Sequence, residues 1–149
     1  MDGQIYRLNI RGHFSNLPHP HVVLIELEKE CWVIPAFGDD GPEVQRAIRA
    51  YDCMGFDTAS VAVHMDNVQH VTYKAGYKGI RAYWVVARAF KITKKLLTSY
   101  EFLGQMDDVG LVLLAQAVQR LAESKPDFIS PSLKKKVGKL IESLTPKET

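Results

Sequence analysis

The sequence predicts a mainly β fold with α-helices added, and three observations carry that expectation. Two β-rich runs, His21-Val22-Val23-Leu24-Ile25-Glu26-Leu27 and Cys31-Trp32-Val33-Ile34-Pro35-Ala36-Phe37, flank the short charged stretch Glu28-Lys29-Glu30 and read as a hairpin. Residues 4–10 alternate Tyr6, Leu8 and Ile10 against Ile5, Arg7 and Asn9, the period of a half-buried strand. Late in the chain, Val109, Leu111, Val112, Leu113, Leu114, Ala117, Val118 and Leu121 recur on one broad helical face.

Breakers bound the hairpin at both ends. Pro18-His19-Pro20 precedes it and Phe37-Gly38-Asp39-Asp40-Gly41-Pro42 follows it, residues that cannot continue a ladder. The stretch 11–20, with Gly12, Ser15, Asn16, Pro18 and Pro20 around His13 and His19, is a loop. Pro42 suits a first helical position, and Val44, Ala47, Ile48 and Tyr51 follow at helical spacing, with an end near Gly55. Residues 60–63 and 68–73 return to β-type side chains and predict strands with a bend between them. Glycines at 76 and 79 mark a turn, and 80–92 favours a long strand, although Ala87 to Lys91 also suits a helix start. Asp107 is placed to cap the long late helix, since a carboxylate there accepts amide hydrogens of the first turn. A last helix over 132–144 puts Leu133, Val137, Leu140, Ile141 and Leu144 on one side and lysines on the other.

Size and composition set the outer limits. The 149 residues suit one core, with 46% hydrophobic and 24% charged residues, which argues against disorder and against a coiled coil. A formal net charge of +2 means that attraction to a polyanion would have to come from clustering. Lys91, Lys94 and Lys95 form one cluster; Lys134, Lys135, Lys136 and Lys139 form another, read first as a solvated helix face. Cys31 and Cys53 lack zinc-ligand spacing, so reduced thiols and no metal or cofactor are expected. No stretch reaches the roughly 18 apolar residues of a membrane helix, and no secretory leader is evident, which predicts a cytoplasmic protein.

The order of several local motifs is more specific. Asp2-Gly3-Gln4-Ile5-Tyr6, His19-Pro20-His21-Val22-Val23-Leu24, Cys31-Trp32-Val33-Ile34-Pro35, and Gly104-Gln105-Met106 opening a helix occur in the order of the MazF/PemK/Kid family of toxin ribonucleases, which the chain resembles. Ser60-Val61-Ala62-Val63 and Asp66-Asn67-Val68-Gln69-His70-Val71 are similar to further segments of that family when one residue is skipped. The resemblance covers about residues 2–122. It implies a small antiparallel SH3-like barrel (1–124) with a C-terminal helix packed on it, followed by an extra lysine-rich amphipathic tail helix (125–149). It also implies a homodimer, single-stranded RNA over the dimer groove, an antitoxin protein as partner, and metal-independent cleavage through the ribose 2′-hydroxyl.

The chain departs from the family where chemistry is expected. His19 stands in place of the family's arginine, Phe37 falls near its serine or threonine, and Asn67 replaces a glutamine-type residue. An arginine is a fixed charged fork, whereas a histidine is only partly protonated near neutral pH. Two expectations follow from this. Either histidines carry the proton transfers, with His19 and Arg11 as catalytic residues and His21, Asn67, Tyr77, Arg81 and Arg88 contacting RNA, or the barrel binds without catalysing. A noncatalytic module gripping a protein partner is the alternative from another class. His64 and His70, with Asp57 and Asp66 as carboxylate company, make a poor metal pair across a bend, and Trp84 and Phe90 are expected in the interior.

Overall fold

The computed structural model describes residues 1–9, 19–38, 42–74 and 81–145, apart from the Glu43 side chain. Its strands are β1 (Gln4–Leu8), β2 (His19–Glu26), β3 (Glu30–Gly38), β4 (Val63–Asp66), β5 (Val71–Tyr73), β6 (Arg81–Trp84), β7 (Phe90–Thr93) and β8 (Glu101–Met106). The helices are α1 (Pro42–Cys53), α2 (Thr58–Val61), α3 (Asn67–His70), α4 (Lys94–Leu97), α5 (Asp108–Ser124) and α6 (Pro131–Leu144), and a 3-10 turn spans Val86–Arg88. Every strand pairing is antiparallel, in the order β4-β6-β3-β2-β1-β8-β5, with β7 also on β3. Register shifts between Val23 and Ile25 and between Ile5 and Tyr6 add local twist, and the sheet curls into a half-barrel. This is the small barrel-like sheet with C-terminal helices that the sequence predicts.

The hairpin runs β2–β3 are apolar nearly throughout because both faces of the sheet are covered. Val22, Leu24 and Ile34 face the larger core, which α5 fills with Leu111, Leu114, Val118 and Leu121. Val23, Cys31 and Val33 face a smaller core with Tyr6, Leu8, Ile92 and Leu97. Helix α6 is stapled to the same body. Ser130 accepts the Leu133 amide at 3.2 Å, Pro131 takes the first helical position, and Leu133, Val137 and Leu140 enter the larger core. Its Lys134, Lys135, Lys136 and Lys139 are exposed.

Several local expectations are corrected. The predicted strand over 60–63 is helical through Val61, because the Asp57 carboxylate accepts the Ala59 amide at 3.2 Å and the Ser60 hydroxyl donates to the Asp57 carbonyl at 2.8 Å. In the predicted strand over 68–73, Asp66 caps the Val68 amide at 3.1 Å and winds one helical turn, leaving Val71–Tyr73 as strand. Gly104-Gln105-Met106 belongs to strand β8 instead of opening the helix; the helix opens at Asp108, with Asp107 as its cap accepting the Gly110 amide at 2.7 Å. The first strand ends at Leu8, two residues short of the predicted end at 10.

The predicted long strand over 80–92 is broken in two for a reason carried by β3. Between the pairs Ala36↔Trp84 and Val33↔Phe90, β3 advances through Ile34 and Pro35 alone, whereas the partner passes the five residues 85–89. The Val85 amide donates to the Pro35 carbonyl at 2.9 Å. In an antiparallel ladder a residue's N–H and C=O share an edge, so proline removes the returning donor at that point. The neighbouring strand loops out as the 3-10 turn and rejoins at Phe90.

Near the other end of β2, Glu26 accepts from the Lys94 ammonium at 2.6 Å and from the Met1 amino group at 2.8 Å. These two bonds, Lys94 first, pull its carboxyl down to about 2. A carboxyl lowered on folding contributes stability above its ordinary range and loses it as pH falls through the folded value. Glu26→Gln is therefore expected to flatten the stability–pH curve between about 4.5 and 2 in urea titrations. Gly104 allows the close approach of β5: a Cβ there would lie 2.4 Å from the Thr72 carbonyl oxygen, whereas one on Gly138 in α6 meets only Gln119 Nε2 at 3.8 Å. Chemical denaturation should show Gly104→Ala losing about 3 kcal/mol and Gly138→Ala gaining about 0.5–1 kcal/mol.

Candidate functional site

The two ends of the sheet order, β4 and β5, are consecutive in the chain and joined by the single turn α3. The first residue of that turn, Asn67, is 2% exposed and spans the seam. Its side chain accepts from the Trp84 indole N–H of β6 at 3.2 Å and donates to the Tyr73 phenol of β5 at 3.0 Å. An indole nitrogen only donates, so the amide oxygen must face Trp84 and the amide nitrogen must face Tyr73.

Beside this seam lies a recess of about 100 Å³. The start of β2 gives it His19 and Pro20, the end of β3 gives Ala36, Phe37 and Gly38, and β6 gives Arg81 and Ala82; Asn67 and Tyr73 complete the wall. The His19 ring rests on Phe37 with centroids 4.3 Å apart and a tilt of 44°. Arg81 is exposed and stands opposite Asp66 in the β4–β6 register, and Asp66 is already occupied as the cap of α3. An imidazole able to carry a proton near neutral pH, a permanent cation and a phenol thus border one small opening.

Of the residues singled out from sequence, His19, Asn67 and Arg81 meet here. His21 and Arg88 have other neighbours. His21 is 4% exposed; its Nδ1–H donates to the His19 carbonyl at 2.8 Å and its ring meets Phe90 edge-on at 5.7 Å, so it braces the backbone that carries His19. Arg88 lies over the Tyr51 ring at 5.4 Å. Burial pushes the Tyr51 phenol above its ordinary value, and the Arg88 charge partly offsets that. Arg11, Tyr77 and His13 lie outside the described residues. Trp84 is fully buried, as its assignment to the interior requires, and Phe90 packs partly buried on the smaller core.

Sequence reasoning missed the Phe37 platform, which it treated only as a lost donor, and the pairing of Asn67 with Tyr73. The signal for that pairing was present: Asp66 as a cap predicts the tight turn that returns the chain and sets the two side by side. His64 and His70 do not form a pair, since His64 stacks on Tyr83 at 4.8 Å and His70 Nδ1 lies 3.3 Å from the Asp107 carboxylate. Among the described residues no three His, Cys, Asp or Glu side chains gather at one point, and no helix is long and apolar enough to cross a membrane.

A larger hollow of about 350 Å³ lies between Phe56 and Phe128, with Lys125, Pro126 and Asp127. It is an open, mostly carbon-lined shelf where the Lys125 ammonium lies over the Phe56 ring at 5.1 Å. The smaller recess combines more kinds of polar chemistry and is the better candidate.

No family model, curated protein or solved structure matches the chain.

Removing the seam amide leaves the Trp84 indole N–H buried without its acceptor. Asn67→Ala is expected to lower stability by about 2–4 kcal/mol, measured by urea denaturation followed at the tryptophans.

Proposed function

We propose that the protein is a metal-independent endoribonuclease of the toxin–antitoxin type, or an RNA-binding relative of one, with single-stranded RNA crossing the seam recess. The observation that carries this reading is the convergence of His19, Arg81 and Asn67, chosen from sequence for RNA chemistry, on one opening with Tyr73. The resemblance to the MazF/PemK/Kid family supplies the reaction. His19 takes the proton from a ribose 2′-hydroxyl, the freed oxygen attacks the adjacent phosphorus, and the bond to the 5′-oxygen breaks to give a 2′,3′-cyclic phosphate. The leaving oxygen takes a proton from solvent, and Arg81 balances the charge that builds on the phosphoryl oxygens. Phe37 holds the imidazole by ring contact. Arg11 keeps its proposed share of phosphate binding. A second copy of the chain and a protein antitoxin are the partners this reading carries, in the cytoplasm.

One observation favours the noncatalytic alternative. Val109 and Leu113, one turn apart on α5, are 59% and 37% exposed and present apolar surface to a protein partner.

The experiment is incubation of the purified protein with mixed single-stranded RNA in EDTA. Cleavage that falls at least 100-fold in His19→Ala supports the nuclease. Binding without cleavage supports the RNA-binding relative, and Arg81→Gln should then weaken affinity and reduce the slope of log K against log salt by about 1. Neither cleavage nor binding, together with stoichiometric co-purification of a protein, supports the interaction module and overturns both RNA readings.

A further inference from the structure

The lysines of α6 and the shelf at Phe56 and Phe128 take no part in the seam recess, and the shelf leads directly into the helix. Residues 120–145 hold six Lys or Arg against three Asp or Glu, a net +3, whereas the whole chain carries only +2. Positive charge is therefore gathered at this end of the protein. Within α6, burial of Leu133, Val137 and Leu140 fixes which way the remaining residues point. At about 100° per residue, Lys135 lies opposite that buried stripe, Lys139 follows it one turn on, and Lys136 lies beside Lys139. Among the described residues none of these three ammonium groups has an ion-pair partner, and the first turn of α6 holds no acid. Like charges one turn apart repel, here toward the positive end of a helix dipole, and an outside anion relieves both.

The shelf supplies what a lysine face lacks. Phe128 is 42% exposed, its ring stands edge-on to Phe56 with centroids 5.1 Å apart, and the Lys125 ammonium lies over the Phe56 ring. Asp127 lines the same hollow and offsets Lys125, so the shelf suits an uncharged flat ring while the helix face suits phosphate. Phe128 comes two residues before Ser130, the cap of α6, so the shelf opens at the helix end nearest the lysines. A lipid surface is the poorer match. A helix lying in one needs a free apolar face, and that of α6 is taken up by the core, with Leu133, Val137 and Leu140 at 1%, 0% and 8% exposure.

We infer that the shelf and the outer face of α6 form a second binding surface, for single-stranded nucleic acid. An unpaired base stacks on Phe128, and Lys135, Lys136 and Lys139 take the phosphates beyond it. From Ser130 to Lys139 the helix rises about 13 Å, so a short run of nucleotides spans both parts. Nothing in this surface depends on the reaction proposed for the recess.

The test is fluorescence anisotropy of a labelled single-stranded dodecathymidylate, whose sugar has no 2′-hydroxyl to be cleaved, titrated with the full chain. Wild type is compared with a combined Lys135→Gln, Lys136→Gln and Lys139→Gln variant, with Phe128→Leu, and with Lys91→Gln plus Lys95→Gln as a control at the other lysine cluster. Phe128→Leu keeps carbon packing on Tyr51 and Phe56 but has no ring face, and thermal midpoints are recorded for all. The triple variant should bind at least 10-fold more weakly at low salt, with the slope of log K against log salt reduced by about 2. Phe128→Leu should bind about 5- to 20-fold more weakly with its slope unchanged, and should bind inorganic polyphosphate, which has no bases, as wild type does. Wild-type affinity in either α6-end variant, an equal loss in the control, or no binding of the oligonucleotide overturns the inference. Capture by phosphatidylserine vesicles in place of the oligonucleotide does the same. Binding that responds to these variants but not to Arg81→Gln, with RNA left intact, upholds this surface and removes the recess reading. RNA cleavage without any effect of the α6-end variants does the reverse.

Discussion

The architecture depends on one buried amide. Among the described residues the curled sheet ends in two margins, β4 and β5, and these are bridged by the side chain of Asn67 reaching an indole on one side and a phenol on the other. Each partner is fixed elsewhere: Trp84 by complete burial in the larger core, Tyr73 by the short pairing of β5 with β8. The amide therefore sets the distance between two parts of the sheet that share no ladder. A buried polar group that is satisfied at both ends specifies one arrangement, since any other leaves a donor or acceptor stranded in a low-dielectric interior.

The recess follows from that constraint. Its walls come from the start of β2, the end of β3, the start of β6 and the end of β5, all of which meet at one end of the curl because the seam holds them there. His19 is anchored from behind by His21, whose ring N–H donates to the His19 carbonyl, and from the side by Phe37. The first residue of β2 thus acquires the held geometry that acid–base chemistry or phosphate binding needs.

Much of this was legible in the chain. The hairpin, α1, α5 with its Asp107 cap, and α6 with its lysine face carry strong periodic or capping signals, and they formed as read. What escaped was decided by pairing across the sheet. The break after Trp84 is set by Pro35 on a neighbouring strand, so no window on 80–92 contains its cause. The turns at α2 and α3 are set by Asp57 and Asp66, whose caps overrode the β-type residues around them. At the site, residue types pointed to His19 and Arg81 through charge and proton affinity, which sequence shows. That His21 stands behind the wall, and that the Asn67 amide in the wall is spent on Trp84 and Tyr73, depends on side-chain direction, which it does not.

The single turn between β4 and β5 also bears on how the chain finds this shape. Closing a segment of four residues sacrifices little freedom, so the two margins become neighbours early and locally. The ladder between β1 and β8, where Gln4 faces Gln105, must instead draw together regions separated by most of the chain. Among the described strands that pairing closes the longest loop and carries the largest closure cost, while β1 is also held by its nearer neighbour β2.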